Sequence, residues 1–349
     1  MKRARNPRRV AGFTLLELLI AAAILGVVIM YLMQTFSTAQ KTYVVVEQVS
    51  EAQQNLRVVA DLIERDLRLA GYLVPAHAAV CGVDVTNGSD TLFVSNADVI
   101  LPADQLQVAN FSALLSGNLG ARVTDPGAGV GGTIGGLGVN VNLAKRWIDV
   151  DGGPADFAVN QGVILVDRND PNGRSACGVV TQYVDVGGNA ARLRVDFLTN
   201  NLGPMAGNPD VRAIPAHVYS ITPPNPGVGT PAQFYRDGLL LANDVEDLQI
   251  AYFFDLDDDR VLDAGEFQGD LGLAVGDGIA VPYDSSAVDG STLRQVQISL
   301  VTSTREDDPN DAAPAMIQQV TGNRNPATIA APDRKRRRVY SSTVRLRNV

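Results

Sequence analysis

The feature that most constrains this chain is a long apolar run near its N-terminus. The 21 residues from Phe13 to Met33 carry one charge, Glu17. As an α-helix rising ~1.5 Å per residue they span roughly 31 Å, close to the ~30 Å hydrocarbon thickness of a bilayer. Residues 1–12 hold no acid and five basic residues: Lys2, Arg3, Arg5, Arg8 and Arg9. Because basic residues flank the apolar run on its N-terminal side only, we expect residues 1–12 to lie in the cytoplasm and the rest of the chain outside it.

Two ordinary kinds of segment also match parts of this pattern. A secretory signal peptide has a shorter apolar core and a small-residue cleavage site, for which Ala21–Ala23 would serve. The apolar run continues well beyond these alanines, however. A plain signal anchor fits the length but gives no reason for Glu17, since an ionised carboxylate in lipid costs roughly a few kcal/mol on insertion scales. Glu17 therefore indicates a segment with a functional partner for its charge.

The junction between the basic and apolar parts reads Gly12-Phe13-Thr14-Leu15-Leu16-Glu17. It resembles the class III leader junction of type IV prepilins, G|FTLxE. The resemblance implies that a prepilin peptidase cuts after Gly12 and that the new amine of Phe13 is N-methylated. It also implies that Glu17 faces the N-terminal amine of a neighbouring subunit in the filament. An ion pair in a low dielectric offsets much of the desolvation of both groups.

A helical pattern continues beyond the apolar run. Apolar residues recur at alternating spacings of four and three, at Val45, Val49, Ala52, Leu56, Val59 and Ile63. This is an amphipathic stripe, and Gly71 is placed to end the helix. The stripe fits either a coiled-coil seam or, as we expect, a helix packed beneath a sheet. The predicted organisation is a leader (1–12), a transmembrane segment (13–36), an amphipathic segment (37–71) and a β-rich head (72–349).

The head is predicted to be mostly strands. The chain has 33 Gly and 18 Pro with 6% aromatic residues, a composition typical of short strands joined by turns. Six segments are rich in β-forming residues: 91–94, 162–166, 191–195, 248–253, 295–301 and 340–346. Alternation in the last two predicts one buried and one wet face. The expected fold is α+β, a long N-terminal helix packed on an antiparallel sheet with a substantial insertion.

Three further segments resemble PilW-like minor pilins: 64–72 (ERDLRLAGY), 247–252 (DLQIAY) and 338–348 (RVYSSTVRLRN). This resemblance implies a minor pilin that helps to initiate a type IV pilus and lies near its tip. Implied partners are other minor and major pilins and a tip adhesin. The head would be periplasmic on the inner membrane before assembly and on the pilus afterwards. The alternative is a J-type pseudopilin of type II secretion, which shares the leader and the ERDLR segment.

Charge argues against nucleic acid as a general partner. The net charge is −9, and without the five leader cations the remainder holds 24 basic and 38 acidic residues, or −14. One basic run, 334–338, stands in this acidic head. It fits a solvated loop leading into the last strand, or a segment that pairs with the acidic head, and alternatively a DNA contact in a minor pilin of an uptake pilus. The first two interpretations are preferred.

The two cysteines, Cys81 and Cys177, match no metal-ligand spacing. An exported head favours a disulfide between them, and the alternative is a pair of buried free thiols. No catalytic constellation is found, so an enzyme is not expected. The G-x-G-x-x-G segment at 127–132 follows a proline and opens no helical pattern, so a loop is expected there. His77 and His217 stand alone.

An acidic segment predicts a cation site. The twelve residues 255–266 place oxygen-bearing groups at the positions that an EF-hand loop uses: Asp255, Asp257, Asp259, the Val261 carbonyl, Asp263 and Glu266. Arg260 stands where the usual glycine would be, which makes the sharp turn harder. The predicted ligand is Ca²⁺. The alternative is a bare acidic turn, because the segment has no flanking helix pair.

Overall fold

A computed structural model describes residues 14–85, 88–96, 99, 121–124, 146–151, 157–167, 173–187, 190–198, 211–223, 231–262, 266–269, 289–306 and 335–349. Gly12, Phe13, Asp263 and the 127–132 segment lie outside these residues. The chain divides into two compact units, Met1–Gln48 and Val49–Val349.

The helix expected from the apolar run and the stripe after it is present as α1, Leu15–Leu69. It ends where Gly71 adopts a φ of +76°, the left-handed conformation that terminates many helices and suits glycine. A Cβ at Gly71 would lie 2.7 Å from the carbonyl oxygen of Asn348. Both the backbone angle and the space therefore require glycine at the helix end.

In the second unit α1 buries one face. Its buried apolar side chains recur at helical spacing: Ala52, Leu56, Val59, Ala60, Ile63 and Leu67. They join one apolar core with strand residues such as Tyr219, Ile250 and Ile298. The stripe thus packs on sheet residues, as predicted, and not as a coiled-coil seam.

The described residues contain fourteen strands, and every pairing between them is antiparallel. They are β1 (Val80–Val83), β2 (Thr91–Val94), β3 (Ala121–Thr124), β4 (Arg146–Asp151), β5 (Gly162–Asp167), β6 (Ser175–Gly187), β7 (Ala190–Phe197), β8 (Val211–Thr222), β9 (Gln233–Arg236), β10 (Leu239–Asn243), β11 (Val245–Phe254), β12 (Phe267–Gly269), β13 (Leu293–Ser303) and β14 (Arg337–Arg345). The six predicted strands correspond to β2, β5, β7, β11, β13 and β14. The α+β fold is confirmed.

One sheet has four strands in the order β12-β11-β13-β14. The predicted alternation is wrong for β13, whose residues from Ile298 to Ser303 are all buried. One face points into the core with α1. On the other face, small side chains of β13 are paired in register with longer side chains of the neighbouring strands. Ser299 pairs with Gln249 of β11, and Ser303 pairs with Arg337 of β14. β13 is thus a central strand with buried residues on both of its faces.

The other sheet has ten strands and closes partly on itself. Its path runs β1-β2-β8-β3-β4-β7-β6-β5, and β5 pairs again with β8. Strands β8, β3, β4, β7, β6 and β5 therefore form a closed ring of pairings. A second apolar core, which includes Ile148, Leu165, Leu193 and Val195, is built from strands of this ring. The insertion expected in the head is thus a small barrel, closed so that its strands leave few free edges.

A third core lies where β1 and β2 meet the barrel strands β5, β6 and β8. It contains Cys81 of β1 and Cys177 of β6, both fully buried, which the structure joins in a disulfide. The bond connects segments 96 residues apart in sequence. It holds the barrel to the strand that follows the helix.

Candidate functional site

The start of α1 is organised by Thr14 and Glu17. The Glu17 carboxylate accepts hydrogen bonds from the Thr14 backbone N–H at 2.9 Å and from its hydroxyl at 3.0 Å. The Thr14 hydroxyl oxygen accepts in turn from the Glu17 backbone N–H at 3.3 Å. This is a capping box, in which a Thr and a Glu three residues later satisfy N–H groups that the helix leaves free. The T-x-x-E spacing already carries this signal, which the sequence interpretation of Glu17 missed.

The apolar residues after Glu17 are exposed in the first unit. Leu15 is 78% exposed and Met30 74%, and the described residues of 14–40 are all exposed. By length and composition α1 is able to cross a membrane. A surface of this size needs lipid or other apolar helices to cover it.

Near the other end of α1, a buried carboxylate connects the helix to the larger sheet. Asp66 is 1% exposed and accepts from the Tyr219 hydroxyl at 2.5 Å and from Arg236 Nη2 at 2.6 Å. Burial and the nearby Asp66 charge raise the pKa of Tyr219, so its hydroxyl remains a donor. The pairing satisfies a charge that would otherwise be costly to bury.

A second polar contact connects α1 to β14. The Glu64 carboxylate accepts from the Tyr340 hydroxyl at 2.6 Å and pairs with Arg68 one turn later. The hydrogen bond from Tyr340 holds the pKa of Glu64 below its ordinary value. Asn348 Nδ2 donates to the Ala70 carbonyl at 3.3 Å. The C-terminal strand is therefore fastened to the last two turns of the helix.

The acidic loop, here residues 255–262 with Glu266, follows β11. A carboxylate oxygen from each of Asp255, Asp257 and Asp259 lies within 4.8 Å of the others. Arg260 takes a φ of +67°, the left-handed conformation expected of the glycine position. Glu266 lies outside this group, and its Oε1 accepts from the Leu256 N–H at 2.8 Å. The structure thus brings together three of the predicted ligands and places Glu266 beside the start of the loop.

Arg294 is a member of this site for which the sequence carries no signal. Its Nε lies 3.3 Å from Asp255 Oδ2, and its Nη2 lies 3.6 Å from Asp258. The guanidinium reaches the loop from β13 because that strand pairs with β11 next to it.

Comparison with family models gives two matches. Residues 7–33 match the prokaryotic N-terminal methylation motif. Residues 230–348, roughly a third of the chain, match Type IV Pilus-assembly protein W. This is a type IV pilin-like, PilW-like protein. No curated protein and no solved structure shows a significant match.

The features of this pilin-like chain agree with both matches. The methylation motif covers the end of the leader, the capping box and the apolar run, and it implies processing by a prepilin peptidase and association with other pilins. With the exposed apolar helix it indicates a membrane-anchored pilin, and the two matches together indicate a minor pilin of a type IV pilus. Pilins and PilW proteins are structural rather than catalytic families.

The three PilW-like segments meet in this structure. The helix end, β11 and the C-terminal strand all contribute to the core around α1. Within it Glu64 bonds Tyr340, and Gly71 lies against Asn348. The resemblance spread along the sequence therefore corresponds to one packed unit, and the barrel lies before the matched residues 230–348.

The basic run of this pilin-like chain is partly engaged in the head. Arg337 pairs with Glu246 at 2.7 Å, each side chain 13% exposed. The backbone of Arg336 exchanges hydrogen bonds with Thr304. Arg334 lies outside the described residues. Of the described residues in this run, Arg337 thus pairs with an acidic residue of the head, as one of the preferred interpretations expects.

Proposed function

We propose that this chain is a minor pilin that enters a type IV pilus through α1 and helps to initiate its assembly near the tip. The observation that carries the proposal is the exposed apolar segment after Thr14, which contains a single carboxylate near its start. Lipid covers such a surface before assembly. The corresponding helices of other pilins cover it afterwards.

The role of Glu17 follows from its position. Cleavage after Gly12 creates an amine on Phe13, close to the end of the helix where the Glu17 carboxylate is held by Thr14. Within one subunit this carboxylate satisfies the helix N-terminus. In the filament it also attracts the Phe13 amine of a neighbour, since opposite charges interact strongly where water is excluded.

The test is incorporation of Glu17→Ala into pili. We expect at least as much protein in the inner membrane as for wild type, since removing a carboxylate from lipid favours insertion. We expect roughly tenfold or more loss from sheared pili, because a partner charge left unpaired in a low dielectric costs several kcal/mol. Quantitative blots of the two fractions measure both. Glu47→Ala, which removes an exposed acid on the same helix, is the matched control.

Normal incorporation of Glu17→Ala would contradict the assembly role. Mass spectrometry of the mature chain should show N-methyl-Phe13, and Gly12→Ala should leave the leader attached. A mature N-terminus near Ala23 would instead identify an ordinary signal peptide.

The position of this chain in the pilus and its role in starting assembly are tested by separate experiments. Deletion of the gene should abolish surface pili, and antibody against the head should label filament ends. Label along whole filaments would contradict the tip position. Intact pili with failed type II secretion would identify the J-type pseudopilin alternative, and a salt-sensitive gel shift by the full chain would favour the DNA-binding one.

A further inference from the structure

We propose that the acidic loop after β11 binds a calcium ion through the carboxylates of Asp255, Asp257 and Asp259. The proposal is independent of the pilus role, since it rests on residues in the head alone. Their oxygens converge within 4.8 Å, a spacing at which one cation contacts all three. Hard oxygen ligands of this kind are those that Ca²⁺ prefers.

A second observation, at Asp255, distinguishes this loop from an ordinary acidic turn. Asp255 is 1% exposed, and its Oδ1 is buried without a hydrogen-bond partner among the described residues. Its other oxygen, Oδ2, faces Arg294 at 3.3 Å. Buried carboxylate oxygens are nearly always satisfied, so the free oxygen indicates a ligand. A cation held jointly with Asp257 and Asp259 supplies it.

The backbone of the loop is already folded for this purpose. The N–H of Val261 donates to Asp259 Oδ1 at 2.7 Å, and the N–H of Asp259 donates to Asp257 Oδ1 at 3.3 Å. The positive φ of Arg260 turns the chain as the glycine of an EF-hand loop does. Glu266 holds the two ends of the loop together through the Leu256 N–H. It closes the loop and lies outside the group of three carboxylates.

Arg294 limits the affinity without filling the site. It neutralises one oxygen of Asp255 and approaches Asp258, which leaves Asp255 Oδ1 and the exposed carboxylates of Asp257 and Asp259 for the ion. Arg260, Arg345 and Arg347 line the same pocket as Asp255 and Arg294. With three carboxylates opposed by these cations, we expect a weak site, with a dissociation constant on the order of 10⁻⁴–10⁻³ M, the range of extracellular calcium modules.

The experiment is titration of CaCl₂ into the full chain in detergent micelles, followed by calorimetry. The test variant is Asp257→Asn with Asp259→Asn; both side chains are exposed, so the fold tolerates the change. Asp61→Asn is the control, since it removes a charge from an exposed position of α1, away from the loop and from Arg294. We expect one site, binding about tenfold weaker or worse in the test variant, and a change of no more than about twofold in the control.

Thermal unfolding gives an independent measurement. Calcium at roughly ten times its dissociation constant should raise the melting temperature by about 2 °C, and EGTA should reverse the rise. Magnesium should have a smaller effect, because it demands a tighter octahedral site. No binding to the wild type, equal binding in all three proteins, or equal shifts with both cations would overturn the proposal.

Discussion

At the scale of single residues, Asp66 is the buried charge that connects α1 to the larger sheet. Its carboxylate is shared between the Tyr219 hydroxyl and Arg236, and Arg236 also lies over the Tyr219 ring, 5.8 Å from its centroid. Removing one member of such a pair leaves the other buried without its charge. The three residues are therefore expected to act as a unit.

Asp66→Asn should lower the free energy of unfolding by about 3 kcal/mol, since Arg236 loses its buried counter-charge while the side-chain volume is unchanged. Asp61→Asn, at an exposed position of the same helix, should change it by less than about 1 kcal/mol. Chemical denaturation of the full chain in detergent measures both. Equal stability of the two variants would show that the Asp66 pair does not fasten the helix.

At the scale of elements, the turn after β1 closes an edge of β11. β12 pairs with β11 only over Ala251–Phe253. On the N-terminal side of these residues, Asp90 forms hydrogen bonds with the same edge of β11. The Asp90 N–H donates to the Leu248 carbonyl at 2.8 Å, and its Oδ2 accepts from the Ile250 N–H at 2.9 Å. The turn thus satisfies backbone groups that an edge strand would expose.

This contact should depend on pH. Burial raises the pKa of Asp90 to about 8, opposed by the Val85 and Ile250 amides and supported by Asp84 and Asp247. The pKa of Asp90 in the folded chain lies above its ordinary value of 3.8. Between these two pH values the folded chain therefore keeps a proton on Asp90 that the unfolded chain has released. The contribution of Asp90 to the free energy of unfolding is therefore fully present below about pH 4, and it is lost as the pH rises through about 8.

Denaturation midpoints measured between about pH 5 and pH 8.5 should therefore fall more steeply for the wild type than for Asp90→Asn, which cannot ionise. The comparison uses the slope with pH, so the cost of the substitution itself does not enter. Parallel slopes would show that Asp90 is ionised throughout this range.

At the scale of the whole molecule, the head combines a helix-and-sheet unit with an inserted barrel. Residues matched to PilW supply β11–β14 and the β9–β10 hairpin, whereas the barrel has its own apolar core. The Cys81–Cys177 bond joins the segment after the helix to the barrel. Closing a loop of roughly a hundred residues stabilises a fold by about 4.7 kcal/mol in the chain-entropy account.

The double variant Cys81→Ala with Cys177→Ala should accordingly unfold at a lower temperature, and its free energy of unfolding should be lower by about 4.7 kcal/mol. Reductant should lower the melting temperature of the wild type and leave that of the variant unchanged. A thiol titration of the denatured wild type should find no free thiol. Two free thiols would contradict the disulfide.

The sequence by itself determined the features that depend on local pattern. A 3.6-residue apolar period predicted the buried face of α1, and β-forming runs predicted six strands, because side chains repeat with the geometry of each element. The leader junction and Glu17 were readable because a charge in a membrane-length apolar run is costly. The ligand spacing of the acidic loop was readable too, since all its oxygens come from one short segment.

Only the tertiary structure decided what depends on distant residues. Closure of the barrel requires β5 to pair with β8, whose residues lie more than about 40 positions later in the sequence. No local pattern encodes that partner. The residues of β13 are buried on both faces, and its place between β11 and β14 is set by segments distant in sequence. Arg294 meets Asp255, and Asp66 meets Arg236, because strand register and helix packing bring them together. Such contacts depend on pairing between segments, whereas sequence periodicity reports only the environment of one segment.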